Sequence, residues 1–255
     1  MRFASLGSGS EGNGLIVESC STRILIDCGF GIKSTVERLA RLDVEPRSLT
    51  AILVTHEHSD HIGGVPAFAA RYDIPVWATF GTLASVSAEF EGMTRVYGFD
   101  SHECFVIEAL QITPICVPHD AREPVQYVIG DGARRLGVLT DLGVSTAHVE
   151  ACLSGCHALV LECNHDPDML VNGDYTPALK HRIASKFGHL DNGSAAKILE
   201  RIDTSRLTHI IAAHLSKQNN LPELARAALA GALDCTPEWI GIADQDAGFD
   251  WREIV

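Results

Sequence analysis

The sequence is short of basic residues. Its 20 Lys and Arg stand against 33 Asp and Glu, so the formal net charge is −13. This deficit argues against a broad basic surface that holds nucleic acid, because phosphate binding usually relies on Lys and Arg. It does not exclude a nuclease, because bound divalent ions can bring positive charge to the one point where a phosphate must lie.

The 255-residue chain also lacks an apolar run long enough to span a bilayer, and its N-terminus becomes glycine-rich before a signal-peptide segment can form. We therefore expect a cytoplasmic protein that does not associate with membranes. The eight cysteines include no Cys-x-x-Cys pair and most lie in apolar runs, which favours free thiols in a reducing compartment. Because linkers, repeats and low-complexity tracts are absent, we expect one domain over residues 1–255.

One polar stretch, Thr55-His56-Glu57-His58-Ser59-Asp60-His61, directly follows the apolar run Ala51–Val54. The run is short and uncharged, so it predicts a buried strand that ends where the polar stretch begins. Three imidazoles and two carboxylates within six residues would be costly to bury unpaired. A metal ion resolves this, because zinc, manganese and iron all bind neutral imidazole and carboxylate. In an extended chain His56 and His58 point the same way, and the following turn can aim Asp60-His61 at a second ion.

The same arrangement recurs later in the chain, where apolar runs end at a histidine or an acidic residue. These runs lead to His119, to Asp141, to Glu162-Cys163-Asn164-His165 and to His214. If the runs are neighbouring strands, their polar ends meet at one edge of a sheet and form a site there. Between the strands, the residue pattern predicts helices at 32–42, 63–72, 79–92, 176–186, 192–202 and 221–233, and a closing strand or hairpin at 239–254.

The order His-x-His-x-Asp-His after a buried strand resembles the signature of the metallo-β-lactamase-fold hydrolases. Within that family, four more segments resemble the YycJ/WalJ exonuclease group: Leu6–Asn13, Glu162–Asp166, Gly188–Asn192 and His214–Asn220. The phosphonate-pathway cyclic phosphodiesterase and the tRNA 3′-processing nuclease are similar but more distant. The resemblance runs nearly end to end, and it implies an α/β fold that forms a four-layer αββα sandwich.

The resemblance also implies two divalent metal ions, with zinc, manganese and iron all suited to the ligands. It assigns His56, His58 and His119 to one ion. It assigns Asp60, His61 and His214 to the second ion, with Asp141 bridging both. Asp27, which follows an early strand, is expected to orient a metal-binding histidine through a hydrogen bond.

In the nuclease relatives, a metal-bound hydroxide is the nucleophile and a histidine protonates the leaving oxygen. The resemblance gives that acid role to His189, supported by either Glu162 or His165, and it counts Asp60 among the catalytic residues. General acid catalysis of this kind is worth about 10²–10⁴-fold in rate. Three residues that follow the last metal ligand are candidates for phosphate contacts: Lys217, Asn219 and Asn220.

The favoured interpretation is a dinuclear metal-dependent phosphodiesterase that acts on nucleic acid, as a 5′-to-3′ DNA exonuclease. One alternative is a thioester or small-molecule ester hydrolase similar to glyoxalase II, although the basic C-terminal segment of that enzyme is missing here. Another is a small cyclic-phosphate phosphodiesterase. A non-catalytic relative is disfavoured because all seven ligand positions are present. The sequence leaves open the metal, DNA versus RNA, the strand polarity and the oligomeric state.

Overall fold

A computed structural model describes residues 1–255 and contains two seven-stranded sheets. With strands numbered in chain order, the first sheet has the spatial order β14 (Phe249–Glu253), β1 (Arg2–Gly7), β2 (Gly14–Ser19), β3 (Thr22–Ile26), β4 (Ala51–Leu53), β5 (Val76–Thr79) and β6 (Val96–Phe99). The strands from β14 to β3 pair antiparallel, and those from β3 to β6 pair parallel.

The second sheet has the same division into an antiparallel and a parallel part. Its spatial order is β13 (Gly241–Ile242), β12 (His209–Ala213), β11 (Ala158–Glu162), β10 (Arg135–Leu139), β9 (Val125–Gly130), β8 (Leu110–Cys116) and β7 (Phe105–Ile107). The strands from β7 to β10 pair antiparallel, and those from β10 to β13 pair parallel. Because β8 and β10 are both antiparallel to β9, they run in the same direction.

Parallel pairing requires crossover connections, and helices supply most of them. The helices are α1 (Ile32–Arg41), α2 (Ser59–Ile62), α3 (Val65–Tyr72), α4 (Phe80–Ser85), α5 (Ala147–Leu153), α6 (Pro167–Asn172), α7 (Pro177–Ile183), α8 (Asn192–Arg201) and α9 (Pro222–Leu233). None of them combines the length and the apolar character that a membrane crossing needs.

Three hydrophobic clusters hold the layers together. The largest, with 23 buried residues, joins side chains of both sheets, such as Phe3 and Tyr127, and so fills the space between the sheets. A second cluster packs α5, α8 and α9 on the second sheet, and a third packs α1 and α3 on the first. The resulting order of layers is helix, sheet, sheet, helix, which confirms the predicted αββα sandwich.

The helix predicted over 79–92 is wrong in length. The α4 helix ends at Ser85, and a separate 3₁₀ helix covers Ser87–Phe90. The Thr79 side chain accepts a hydrogen bond from the Thr82 N–H and starts α4, but Val86 lies outside helical geometry. β-Branched and small polar residues at this point are weak helix formers, which explains the break. The sequence analysis gave no bounds for α5 or α6.

The strand directions place the loops of interest on one edge of the sandwich. β8, β10, β11 and β12 run in the same direction, so the chain leaves all four at the same edge of the second sheet. The polar stretch 55–61 follows β4 of the first sheet, and its Thr55 carbonyl accepts a hydrogen bond from the Val125 N–H of β9 in the second sheet (3.0 Å). Polar strand ends from both sheets therefore meet.

Candidate metal centre and active site

The loops that leave β4, β8, β10 and β12 bring together all seven residues that the sequence nominates as metal ligands. Their side chains belong to overlapping groups of potential ligands, which also include Glu162 and His189: His56, His58, Asp60, His61, His119, Asp141 and His214. The short α2 helix carries Asp60 and His61, which turns both toward the strand ends of the second sheet. The cluster therefore spans the two sheets.

Three imidazoles form one side of the cluster. His58 Nδ1 lies 3.0 Å from His56 Nε2 and 3.3 Å from His119 Nε2. The buried rings of His56 and His119 meet edge to face, with centroids 4.9 Å apart. Three ring nitrogens thus converge on one point, as a metal with three imidazole ligands requires.

Hydrogen bonds behind these rings fix which nitrogen faces the centre. Thr55 donates its hydroxyl proton to Asp27 Oδ2 (2.8 Å), so its oxygen accepts from His56 Nδ1 (2.9 Å). His119 Nδ1 donates to the Gly188 carbonyl (3.0 Å). The proton of each ring therefore points outward, and the Nε2 lone pairs of His56 and His119 point to the centre.

Carboxylates and two further imidazoles form the other side. His61 Nε2 lies 3.3 Å from Asp60 Oδ2 and 3.0 Å from Asp141 Oδ2. His214 Nε2 lies 3.5 Å from Asp60 Oδ2 and 3.8 Å from Asp141 Oδ1. Asp141 Oδ1 is also 3.7 Å from His119 Nε2, which places the Asp141 carboxylate between the two sides of the cluster.

The hydrogen-bonding groups of this cluster fit a divalent cation. His61 Nδ1 lies 2.7 Å from Asp27 Oδ2 and donates to it, so the other ring nitrogen, Nε2, faces the carboxylates of Asp60 and Asp141 and binds either a proton or a metal cation there. Asp141 Oδ2 is buried without a hydrogen-bond partner. Acceptors that face one another in a buried site are unfavourable unless a cation lies between them. Imidazole and carboxylate are the ligands of zinc, manganese and iron.

The electrostatics of the cluster also favour a cation. Burial alone would lower the pKa of His61, but the carboxylates of Asp141 and Asp27 raise it well above its ordinary value. Burial would raise the pKa of Asp141, yet His214 and His61 hold it well below its ordinary value. The cluster therefore keeps its carboxylates ionised and attracts positive charge to its centre.

Two residues of the site have strained backbones. Asp27 (φ 58°) and His214 (φ 55°) lie in the left-handed region, where a residue other than glycine costs about 1–3 kcal/mol. Hydrogen bonds hold both in place: Asp27 Oδ1 accepts from the Thr55 N–H (2.8 Å), and the His214 N–H donates to Ser8 Oγ (3.0 Å). The strain aims both side chains at the cluster.

His189 lies at the rim of the cluster and is supported by Glu162. Its Nδ1 is 2.7 Å from Glu162 Oε1 and 3.5 Å from Asp141 Oδ1. The fully buried Glu162 is itself held by the N–H groups of Leu142 (2.8 Å) and Leu190 (3.2 Å), which donate to its Oε2. Because Nδ1 is engaged, Nε2 is the atom of His189 that can meet a ligand.

His165, the other support that the sequence left open, has no hydrogen bond or ion pair with His189. Its Nδ1 lies 3.3 Å from Asn164 Oδ1, and its carbonyl accepts from the Asn192 N–H (3.0 Å). His165 and His189 line the same open pocket of about 710 Å³. Of the two alternatives, it is Glu162 that contacts His189.

The three candidate phosphate contacts form no hydrogen bond or ion pair with the nominated metal ligands. Lys217 Nζ pairs with Glu11 (2.8 Å) and Asp246 (3.3 Å). The Asn220 amide exchanges hydrogen bonds with Asn192 and donates to the Cys163 carbonyl (2.7 Å). Asn219 is also buried, and its carbonyl accepts from the Asp166 N–H (2.8 Å). The Asn220 amide therefore has no group left for a phosphate.

Sequence reasoning missed several groups that touch the cluster. Asn13 Nδ2 lies 3.1 Å from His61 Nε2 and 3.3 Å from Asp60 Oδ2. Asn164 Nδ2 lies 3.3 Å from His214 Nδ1 and also donates to the His214 carbonyl (3.1 Å). Asn13 ends the glycine-rich first turn, and Asn164 lies in a segment that resembles the exonuclease group. Both positions could therefore have been nominated as site residues from the sequence.

A second missed element joins α7 to the cluster. Asp120 Oδ1 lies 3.5 Å from His119 Nε2 and 3.8 Å from His58 Nε2. Its Oδ2 accepts from Arg182 Nε of α7 (2.6 Å). Burial would raise the pKa of Asp120, but Arg182 and His119 lower it below its ordinary value. The Asp120 carboxylate therefore stays ionised beside the histidines.

Asp27→Asn is expected to weaken metal binding about 10–100-fold, because it removes the charge that orients His61 and, through Thr55, His56. Asparagine tolerates the left-handed backbone, so the fold should survive. Competition with a chromogenic zinc chelator measures the affinity. Asp43→Asn is the matched control, because Asp43 is also left-handed but exposed. Equal zinc affinity in the two variants would contradict the role of Asp27.

Comparisons with known proteins agree with this geometry. Residues 22–210 match the family described as the beta-lactamase superfamily domain. The chain is 34% identical to exodeoxyribonuclease YycJ of Bacillus anthracis, over 92% of this chain and 89% of that protein. It is 31% identical to exodeoxyribonuclease WalJ of Streptococcus pneumoniae, over 94% of this chain and 91% of that protein.

A solved structure supports the fold independently of sequence. The metallo-β-lactamase fold protein YhfI from Bacillus subtilis matches with a TM-score of 0.76 at 16% identity, over 99% of each chain. At that identity the likeness shows the fold alone. The resemblance to the YycJ/WalJ group is confirmed by the two relatives, and the protein is a metal-dependent hydrolase. By family, fold and sequence identity, the chain belongs to the metallo-β-lactamase superfamily.

Proposed function

We propose that the protein is a dinuclear metal-dependent phosphodiesterase that degrades DNA as a 5′-to-3′ exonuclease. The observation that carries the proposal is the Glu162–His189 pair, which lies beside a cluster of seven potential metal ligands. A hydrolase that expels an alkoxide gains from a positioned acid at this point. The two relatives named exodeoxyribonucleases support DNA as the substrate.

In the proposed site His56, His58 and His119 would hold one ion, Asp60, His61 and His214 would hold the second, and Asp141 would be a ligand of both. Bound divalent ions supply Lewis acidity, which activates water at neutral pH and stabilises the charge that develops on the phosphoryl group. The pocket lined by His189 gives a substrate access to this site, because His189 Nδ1 lies 3.5 Å from Asp141 Oδ1. Zinc, manganese and iron all suit it.

His189 acts as the general acid in this proposal. Glu162 Oε1 accepts a hydrogen bond from His189 Nδ1, which orients the ring and aims Nε2 at the pocket. As the phosphorus–oxygen bond to the leaving group breaks, the leaving oxygen takes the Nε2 proton. Water forms the new bond to phosphorus, and the proton that it loses restores His189. Each turnover thus cleaves one phosphodiester and consumes one water.

The path for a nucleic acid strand lies along the segment that precedes His189. Residues 175–190 contain three basic side chains, Lys180, Arg182 and Lys186, and no Asp or Glu. Lys186 lines the 710 Å³ pocket with His189, and the nearby Phe187 ring is 59% exposed. An exposed ring can stack a base while basic groups follow the backbone. Lys180 and Lys186 form no ion pair, whereas Arg182 pairs with Asp120, so this segment provides local positive charge in a chain whose net charge is −13.

The test compares phosphodiesters with a thioester. Metal-reconstituted protein is incubated with bis-p-nitrophenyl phosphate, with 5′-labelled duplex DNA and with S-lactoylglutathione. We expect both phosphodiesters to be cleaved, His58→Ala to abolish cleavage, and the products released from DNA to show 5′-to-3′ polarity. Thioester cleavage with inert phosphodiesters would identify a glyoxalase II-like enzyme instead. Cleavage of the small phosphodiester alone would reject DNA as the substrate.

Lys186→Glu is expected to raise the KM for DNA and leave the cleavage of bis-p-nitrophenyl phosphate unchanged. A DNA strand is long enough to reach Lys186 from the metal ligands, whereas the small phosphodiester is not. Loss of one phosphate contact should reduce the slope of log KM against log salt by about one. Lys33→Glu, at an exposed lysine on α1, is the matched control. Equal effects of the two reversals would show that net charge alone matters and that residues 175–190 do not bind the strand.

A further inference from the structure

A second group of metal-binding side chains lies outside the proposed active site. A pocket of about 610 Å³ between the start of β7, β8 and α5 is lined by eight residues, of which five are cysteine or histidine: His102, Cys104, Cys116, His148 and Cys152. Three of the eight cysteines of the chain are therefore gathered at one place, although they come from three separate segments. The fold, rather than a sequence motif, brings them together.

The side chains form two cysteine–histidine pairs. Cys116 Sγ lies 3.8 Å from His102 Nδ1, and Cys152 Sγ lies 3.9 Å from His148 Nδ1. With metal–sulfur and metal–nitrogen bonds typical of zinc, two ligands of a tetrahedral site lie about 3.6 Å apart. Each pair therefore has nearly the separation of two ligands on one ion.

The elements around the pocket hold these pairs in place. His148 and Cys152 are four residues apart on α5 and so lie on one helix face. Cys116 ends β8, and its Sγ also lies 3.5 Å from the Ser101 carbonyl, which fixes the loop that carries His102. Cys104 Sγ donates to Thr113 Oγ1 (3.4 Å) on the adjacent strand. The backbone under each pair is thus held by a helix or a strand end.

The pocket thiols are more accessible than the three cysteines of the core, Cys28, Cys156 and Cys163, although burial also raises the pKa of Cys152. Burial raises the pKa of Cys28 and of Cys156 to about 11, so these thiols stay protonated within the core. Cys104 is exposed, whereas Cys116 and Cys152 are half-buried. All eight cysteines are free, and these three are open to a metal from solvent.

We propose that this pocket is a peripheral site for a thiophilic divalent ion of the zinc class, bound by Cys116, Cys152, His102 and His148. Only the catalytic cluster brings three or more ligand atoms within 4.8 Å of one another. The ligand atoms of the peripheral site lie farther apart, and they reach one ion when the side chains turn toward the pocket. His102 and His148 are exposed and can turn without disturbing the core. Binding converts two thiols to thiolates and releases two protons to solvent.

An ion at this site would join α5 to the second sheet next to the active site. Cys116 lies three residues before His119, and α5 begins six residues after Asp141. The ion would link the segments that deliver these two nominated ligands. The inference does not rest on the proposed function, because none of the nominated catalytic ligands is a cysteine.

The test is titration of the reduced full-length protein with Cd²⁺, followed through the ultraviolet charge-transfer absorption of cadmium thiolates. We expect a saturable band for two thiolates in the wild type. We expect at least a tenfold loss of affinity in Cys116→Ser and in Cys152→Ser, and no change in Cys20→Ser, whose exposed cysteine lies outside the pocket. His148→Ala should weaken binding without removing a thiol, which separates coordination from loss of sulfur.

Two results would overturn the proposal. One is a cadmium band that persists at equal affinity in the Cys116→Ser and Cys152→Ser variants. The other is the absence of any saturable band in wild-type protein whose accessible thiols react with a thiol reagent. If either serine variant fails to fold by circular dichroism, His102→Ala and His148→Ala decide the question. Nuclease activity has no part in this readout, so failure here leaves the proposed function untouched.

Discussion

Asp141→Ala is expected to abolish metal binding and hydrolysis together. The Asp141 carboxylate lies 3.0 Å from His61, 3.7 Å from His119 and 3.8 Å from His214, so its loss removes the group between both sides of the cluster. Metal-ion catalysis supplies several kcal/mol of transition-state stabilisation, and its loss should lower kcat/KM by about three orders of magnitude or more. Metal content by atomic emission and hydrolysis of bis-p-nitrophenyl phosphate measure the two effects.

Asp141→Asn separates charge from shape. Asparagine keeps the size of the side chain but cannot bridge two cations, so this variant should also lose at least one metal per chain. Far-ultraviolet circular dichroism confirms that both variants fold. A folded variant that retains two metals and near-normal turnover would refute the bridging role of Asp141.

His189→Ala is expected to retain both metals and to lose turnover by about 10²–10⁴-fold, because general acid catalysis contributes that much. His189 is not one of the nominated metal ligands, and its shortest contact is with Glu162. Its removal should therefore leave the metal ligands in place. The loss should appear in kcat at saturating DNA. Substrates with a good leaving group, such as bis-p-nitrophenyl phosphate, should suffer less, because nitrophenolate needs little proton donation.

His165→Ala is the matched control for that experiment. His165 lines the same pocket as His189 but its ring contacts Asn164 instead of Glu162. We expect its turnover to stay within a few-fold of the wild type. A loss with His165→Ala as large as that with His189→Ala, or normal turnover with His189→Ala, would overturn the acid assignment. Equal losses on both phosphodiester substrates would indicate a structural role for His189.

The ligand-rich edge could be predicted from sequence because its residues follow buried strands directly. Short apolar runs mark such strands, and the polar residue after each run must lie at a strand end. The sheet then brings the ends together whatever the details of packing. The seven nominated ligands of the cluster are therefore adjacent in space, as their positions after the strands predict.

The neighbours of the cluster could not be predicted in the same way. Asn13 is 47 residues from Asp60, and only the pairing of strands reveals their contact. Whether Glu162 or His165 supports His189 depends on where the end of β11 and the loop after it point, and a strand that is buried on both faces gives no alternation from which to tell. Long-range contacts of polar side chains depend on tertiary structure rather than on local pattern.

The helices show the same division between local and tertiary causes. α8 and α9 lie within their predicted ranges because their apolar residues follow a helical period. α5 and α6 have only seven and six residues, too short for that period to show clearly. Their polar caps, Thr146 and Asp166, carried the local signal, because each side chain accepts a hydrogen bond from the N–H three residues later.

The α7 helix buries none of its side chains, although Arg182 and the loop after it lie beside the active site. Substitutions along this helix change charge and shape next to the candidate active site with little effect on the three cores, which contain no side chain of α7. Selection can therefore alter the preferred substrate in steps that the protein tolerates, while the strand ends keep the hydrolytic chemistry unchanged. Divergence of specificity among relatives should concentrate in this helix, and conservation at the strand ends.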